Sequence, residues 1–94
     1  MAAIEVETFT LVGGVSVEKF HEIDERMQEW CYLNRPGIAR RTVAVDANGK
    51  FIAVTLFGEV SQADAGYRSY AGISAEWLSC IADDSTTHEV FSLF

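Results

Sequence analysis

The run FIAVTLFGEV, Phe51 to Val60, sets the terms for the rest of the chain. Its apolar side chains fall on both parities: Phe51, Ala53 and Phe57 on one side, Ile52, Val54, Leu56 and Val60 on the other. Successive side chains of a β-strand point to opposite faces, so a strand that is apolar on both must be covered on both. Asp46-Ala47-Asn48-Gly49-Lys50 precedes it with turn chemistry, and Ile38 to Val45 precedes the turn as a second β-rich arm. The stretch Gly37 to Ser61 is therefore expected to be a hairpin. The first arm carries Arg40 and Arg41 and is the more polar, which suits a sheet edge; the second belongs in a sheet interior.

The flanking segments supply what could cover that strand. Ala3 to Val12 reads as a strand, with Ile4, Val6, Thr8 and Thr10 on one parity and Glu5, Glu7, Phe9 and Leu11 on the other. Gly13-Gly14 ends it. Ser16 is placed to cap a helix over Val17 to Leu33, in which Val17, Phe20, Ile23, Met27, Trp30 and Cys31 repeat at helical spacing. Glu18, Glu22, Glu25, Arg26 and Glu29 form its solvated face, and Asn34-Arg35-Pro36-Gly37 stops it. After the hairpin, Ser61 is expected to cap a second helix, with Asp64 at its third position. Gly66 and Gly72 weaken that helix, and a break near Gly72 with a restart at Ser74 leaves Ile73, Trp77, Cys80 and Ile81 as its buried stripe. Asp83 to Thr87 reads as a turn and His88 to Phe94 as the last strand.

The order is βαββαβ, the split βαβ or ferredoxin-like arrangement in one α+β domain over residues 1–94. Its four antiparallel strands take the spatial order 4-1-3-2, so the first and third are central, in keeping with the apolarity of the third. Two helices cover one face only. The other face would leave several hundred Å² of Val, Ile and Leu in water, more than a monomer usually exposes. A second copy of the sheet is the simplest cover, and a two-fold homodimer through the sheet face is expected.

The net charge of −7 argues against nucleic acid and anionic membranes, which both require basic patches. No apolar run approaches the length of a membrane span, and the acidic N-terminal stretch has no leader character. Cys31 and Cys80 read as reduced, buried thiols of a cytoplasmic protein. His21 and His88 do not make a metal-binding pair, and no carboxylate completes one.

With these elements placed, the chain resembles the dimeric α/β barrel superfamily, in particular its antibiotic-biosynthesis-monooxygenase-like members. The features that carry the resemblance are the strand EVETFTLV, the helix ending in Asn34-Arg35-Pro36-Gly37-Ile38, the hairpin into FIAVTLFGE and the helix opened by SQADAG. The superfamily includes cofactor-free oxygenases of polycyclic phenols, haem-degrading enzymes and isomerases. The resemblance implies a pocket between sheet and helices within each subunit. Haem breakdown is disfavoured, because the first strand lacks Asn and the second helix lacks His.

Residues expected to face such a pocket are Phe20, Asp24, Met27, Tyr70 and Trp77 for a small aromatic substrate, and His21, Trp30, Arg41 and Tyr67 for chemistry, with no cofactor and no metal. His21, one turn before Asp24 and Glu25, suits a general base; it equally suits a surface position on an acidic helix. The aromatics also suit plain core packing. Glu5 and Glu7 share a face of a central strand, and Arg40 or Arg41 is expected to pair with one of them. Such a pair either fixes dimer register or supplies a carboxylate base with an arginine that holds an oxyanion. Two functions follow: a cofactor-independent monooxygenase of an aromatic substrate, or a non-catalytic dimeric module that binds a small hydrophobic molecule or simply assembles.

Overall fold

The computed structural model describes residues 1–63 and 72–94. The expected hairpin joins β2 (Ile38–Val45) to β3 (Phe51–Phe57). Its turn is closed by Asp46, whose carboxylate accepts from the backbone N–H groups of Asn48 at 2.8 Å and Lys50 at 2.9 Å. With β1 (Ala3–Phe9) and β4 (Thr87–Ser92) the hairpin completes an antiparallel sheet of order β2-β3-β1-β4. This is the ferredoxin-like order, with β1 and β3 central.

The helical layer begins with α1 (Val17–Asn34), capped as expected by Ser16, whose hydroxyl accepts from the Lys19 N–H at 3.1 Å. It continues with α2 (Val60–Ala63) and α3 (Ile73–Ser79), and a single 3₁₀ turn, Asp83–Ser85, leads into β4. Several boundaries differ from the sequence expectation. β1 stops at Phe9, after which only Leu11 bridges to Ile81. β3 stops at Phe57, and Val60 opens α2 instead of extending the strand, so Ser61 lies inside that helix and is not its cap. The Gly58 N–H still bonds across to the Gly37 carbonyl at 2.9 Å, and the chain leaves the sheet after it. The restart after Gly72 comes at Ile73, one residue earlier than expected. Gly72, with φ 72°, adopts a backbone conformation that a residue with a Cβ rarely adopts. Asp64 and Gly66 lie outside the described residues.

The pairing registers sort every strand residue onto one of two faces. Ala3, Glu5, Glu7 and Phe9 of β1, and Phe51, Ala53, Thr55 and Phe57 of β3, face the helices and are buried. On that side Phe9, Phe20, Phe51 and Trp77 form an aromatic centre, with Phe9 stacked on Phe51 at 5.5 Å and edge-on to Trp77 at 5.3 Å. Ile23, Met27, Cys31, Cys80 and Ile81 complete the core. Both cysteines are free thiols.

The opposite face has no covering layer among the described residues. Three cross-strand rows make it up: Arg40, Leu56, Ile4 and Phe91; Thr42, Val54, Val6 and Glu89; Ala44, Ile52, Thr8 and Thr87. Its centre is apolar, and Phe91 and Ile52 are exposed.

Candidate functional site

Along α1, residues 17, 20, 21, 24, 25 and 28 share one side of the helix at three- and four-residue spacing. They face β2 across an open groove of about 410 Å³. Val17, Phe20, Val43, Val45 and Phe51 provide apolar walls, and His21, Asp24, Glu25 and Gln28 provide polar groups along one side. The groove lies at the sheet edge because β2 is the outermost strand and α1 is the helix nearest it.

Asp24 is the fixed polar point of this groove. A bulge between Ile38 and Arg40 sets the register of β2 so that Arg41 turns inward and Arg40 outward. The Arg41 guanidinium holds Asp24 with both arms, Nη2 to Oδ1 at 2.7 Å and Nη1 to Oδ2 at 3.3 Å, and Nη1 also donates to Gln28 Oε1 at 3.3 Å. Trp77 donates its indole N–H to Asp24 Oδ1 at 2.9 Å. A carboxylate with this many donors is an anchored acceptor, charge-assisted and geometrically fixed. It is placed to align a donor that enters the groove.

A second charged cluster lies deeper. Glu5 receives a two-armed contact from Arg35, 3.2 Å on each arm, and its Oε2 is 2.9 Å from Nε2 of His88. Arg35 stacks over the Phe57 ring at 5.0 Å. It is buried because it caps α1, its N–H bonding to the Cys31 carbonyl at 2.9 Å, and because Pro36 and Gly37 then carry the chain away from the helix. Gly37 has φ 84°, and a Cβ there would collide with the Gln62 amide. Glu5 thus pairs with Arg35, an arginine that the sequence expectation had not put forward for it. The pair lies on the helix side of the sheet, away from the open face. The Cys31 thiol sits near both guanidinium groups; burial pushes its pKa up, and Arg41 and Arg35 only partly oppose that.

The groove brings together three of the expected residues: Phe20, His21 and Asp24. Arg41 and Trp77 stand directly behind Asp24. His21 is exposed at the groove mouth, its Nε2 3.4 Å from Glu25 Oε1. Met27 is in the core. Trp30 packs on the core's margin and its carbonyl accepts from Asn34 Nδ2 at 2.9 Å. Tyr67 and Tyr70 lie outside the described residues. Sequence reasoning missed Gln28, one turn beyond Asp24, and Arg35, which continues the 27, 31, 35 spacing of the buried stripe. That spacing was the available signal for Arg35; its charge concealed it. Among the described residues no group of three or more His, Cys, Asp or Glu could hold a metal ion.

Solved structures share this fold over nearly the whole chain. SnoaB of Streptomyces nogalater, a cofactor-independent oxygenase, superposes with a TM-score of 0.75 at 14% identity over 99% of this chain and 93% of its own. The fold is that of the antibiotic-biosynthesis-monooxygenase-like proteins. A proposed antibiotic biosynthesis monooxygenase from Caulobacter crescentus gives a TM-score of 0.76 at 12% identity, covering 99% of this chain and 90% of that one. A dimeric protein of unknown function with a ferredoxin-like fold from Bacteroides fragilis gives 0.65 at 13% identity, covering 98% and 96%. No protein-family model and no curated protein matches the chain by sequence. The ferredoxin-like fold positions the groove and both charged clusters, and the residues that fill those positions are this chain's own.

Proposed function

We propose that this chain is a monooxygenase-like protein that binds a small aromatic molecule bearing a hydroxyl group in the α1–β2 groove and oxidises it with molecular oxygen without a cofactor. The observation that carries the reading is the groove itself: about 410 Å³, apolar on its walls, with the anchored Asp24 carboxylate on one side. The substrate hydroxyl or an adjacent polar group donates to Asp24 or Gln28, and the ring packs on Phe20 and Phe51. His21, at the mouth, takes the acidic proton, the role for which imidazole is suited near neutral pH. The resulting anion is electron-rich enough to reduce oxygen directly. For an activated methylene the balance is R₂CH₂ + O₂ → R₂C=O + H₂O: one oxygen atom enters the carbonyl and the other leaves as water.

The fold shared with a cofactor-independent oxygenase supports the reaction class and leaves the substrate open. Oxygen uptake with a panel of quinols and anthrones tests it. Turnover that falls in a His21→Gln variant is the expected result; no uptake together with no binding of any of these compounds overturns it. A second reading, a ligand-binding module without turnover, is favoured by one observation: three donor contacts from Arg41 and Trp77 already fix Asp24, which leaves it an acceptor that orients a ligand. Binding of the same compounds without oxygen uptake would select it.

The assembly that fits this reading is a homodimer through the open sheet face, with two such grooves on its outside. Light scattering tests the dimer. No helix among the described residues is long and apolar enough to cross a membrane, and two buried free thiols favour a cytoplasmic setting.

A further inference from the structure

Asp24 and Glu25 make the α1–β2 groove acidic, and the proposed reaction forms an anion there. Taking a proton from a methylene beside a carbonyl leaves the electron pair on the carbonyl oxygen, as an enolate. Such an oxygen needs hydrogen-bond donors aimed at it, and a carboxylate supplies none. The groove holds two: a main-chain N–H of β2 and the Gln28 amide.

The main-chain donor follows from the register of the edge strand. Gly58 donates to the Gly37 carbonyl at the open end of the hairpin, and Asp46 donates to the Lys50 carbonyl at its turn. Antiparallel pairing alternates, so Arg40, Thr42 and Ala44 aim their N–H groups at β3, while Arg41, Val43 and Val45 aim theirs out of the sheet. Arg41 obeys this: its N–H donates to the Tyr32 hydroxyl of α1 at 2.8 Å. Val43 is the next outward residue, and its N–H meets no acceptor among the described residues. Arg41 also fixes the side-chain donor. A guanidinium only donates, so the Gln28 oxygen faces Arg41 Nη1 at 3.3 Å and the Gln28 NH₂ is turned away from it. Because β2 runs parallel to β1 and α1 returns between them, helix and strand are opposed in direction. Gln28 lies four residues before Tyr32, and Val43 two after Arg41. Four residues of helix rise about 6 Å and two of strand about 7 Å, so Gln28 and Val43 stay level across the groove that both line.

We propose that the Val43 N–H and the Gln28 NH₂ together hold the enolate oxygen that forms when His21 takes the substrate's proton, an oxyanion hole built on an unpaired strand edge. The inference rests on the oxygenase reading above and assigns the groups that stabilise its anion. The proton passes from the methylene carbon to the imidazole, the C–H electron pair moves onto the carbonyl oxygen, and no oxidant enters this step. Arg41 matches the charge of Asp24, and Glu25 stands beside the imidazolium that forms, so neither carboxylate opposes the enolate unmatched. Arg41 is the positioning residue, because it orients the Gln28 amide.

Anthrone is the probe, because its methylene is its only acidic group; anaerobic conditions prevent its oxidation. Calorimetry reads binding, and the visible absorbance of the enolate reads ionisation across pH. The wild-type protein is expected to ionise bound anthrone at a lower pH than free anthrone. Val43→Pro removes the N–H at an edge position where proline fits, because that N–H takes no part in the ladder. Val43→Ala trims the side chain and keeps the N–H. At a given pH the proline variant is expected to hold about tenfold to a hundredfold less enolate than the alanine variant. Gln28→Glu keeps an acceptor for Arg41 and removes the donor, and its loss should be at least as large. If circular dichroism shows the proline variant unfolded, a chain ligated at Cys31 and Cys80 with an ester in place of the Thr42–Val43 amide removes the same N–H. Equal ionisation by the alanine variant and by the folded proline or ester variant overturns the inference and leaves the groove as a binding site. So does a wild-type protein that binds anthrone without promoting its enolate. Failure to bind anthrone, quinols or any hydroxylated analogue overturns the groove reading and this inference with it.

Discussion

The Glu5 carboxylate lies in the guanidinium fork of Arg35, 3.2 Å from nitrogen on each arm, and both side chains are almost wholly buried. The pair ties the end of α1 to the middle of the central strand β1, which is how a short chain keeps its first helix seated on its sheet. Removing one member leaves the other charged and desolvated. Arg35→Met is therefore expected to destabilise the fold by about 3–5 kcal/mol. An Arg35→Met/Glu5→Leu double variant, which removes both charges, should recover much of that loss, although His88 then loses its own partner. Urea denaturation of the three proteins measures it; equal losses in the single and double variants would show that the charge pairing is not what matters.

The polar contact between Trp77 and Asp24 predicts a separable effect. Trp77→Phe keeps most of the aromatic contact with Phe9 and Phe20 but removes the indole donor to Asp24 Oδ1. Loss of a hydrogen bond to a buried charged group costs about 1.5–3 kcal/mol. Asp24 should also be less firmly placed in the groove, so the variant should bind aromatic ligands more weakly than its stability loss alone explains. Thermal denaturation and calorimetric titration read the two effects independently.

These two contacts also show how far the sequence could be read. The sheet order and the inward aromatics follow from period-2 and period-3.6 apolar patterns, because burial of apolar side chains writes itself directly into those periods; the break at Gly72 follows from the cost of glycine in a helix. The partners of the buried charges do not. The parity of Glu5 and Glu7 placed them on one face, but that Arg35 would meet Glu5 depended on the cap at the end of α1, which has no apolar signature. The groove was half legible for the same reason. Helical spacing grouped Phe20, His21 and Asp24, but it could not tell that Met27 points into the core or that Trp30 lies on its margin.

If the α1–β2 groove is the ligand site, blocking it should abolish binding without unfolding the protein. Val43 is half-buried and lines the groove from the edge strand, where a larger side chain has open space to occupy. Val43→Trp is expected to lower the affinity for aromatic ligands by about tenfold or more while shifting the melting temperature by only a few degrees, roughly 1 kcal/mol. Calorimetry with a hydroxylated polycyclic compound measures it. Unchanged affinity would place the ligand elsewhere.

Cys31 offers a chemical probe of the same layer. Burial between α1 and the sheet raises its thiol pKa, and the thiolate is the reactive form. In the native state at mildly alkaline pH it should therefore resist a thiol reagent, and Cys80, also buried, should resist as well. Labelling should proceed only as fast as the fold opens, and it should accelerate in Arg35→Met, which loosens the end of the helix that carries Cys31. Prompt labelling of the native wild-type protein would contradict this packing.

The hairpin turn makes the last prediction, and its sign follows from Asp46. Backbone N–H donors at Lys50 and Asn48 hold this carboxyl below its ordinary range, the Lys50 contact being the stronger influence. A carboxyl whose folded pKa is depressed contributes stability that is fully present above its unfolded value, about 3.9. That contribution is lost as pH falls through the folded value. Asp46→Ala should therefore be less stable than wild type at neutral pH, and the gap should close as the solution is acidified below about pH 4. Asp46→Asn keeps an accepting oxygen without the charge, so it should lie between the two at neutral pH and show little of the acid-dependent change. Urea midpoints for the three proteins across the acid range test this; a gap that stayed constant with pH would mean that the turn draws nothing from the ionised carboxylate.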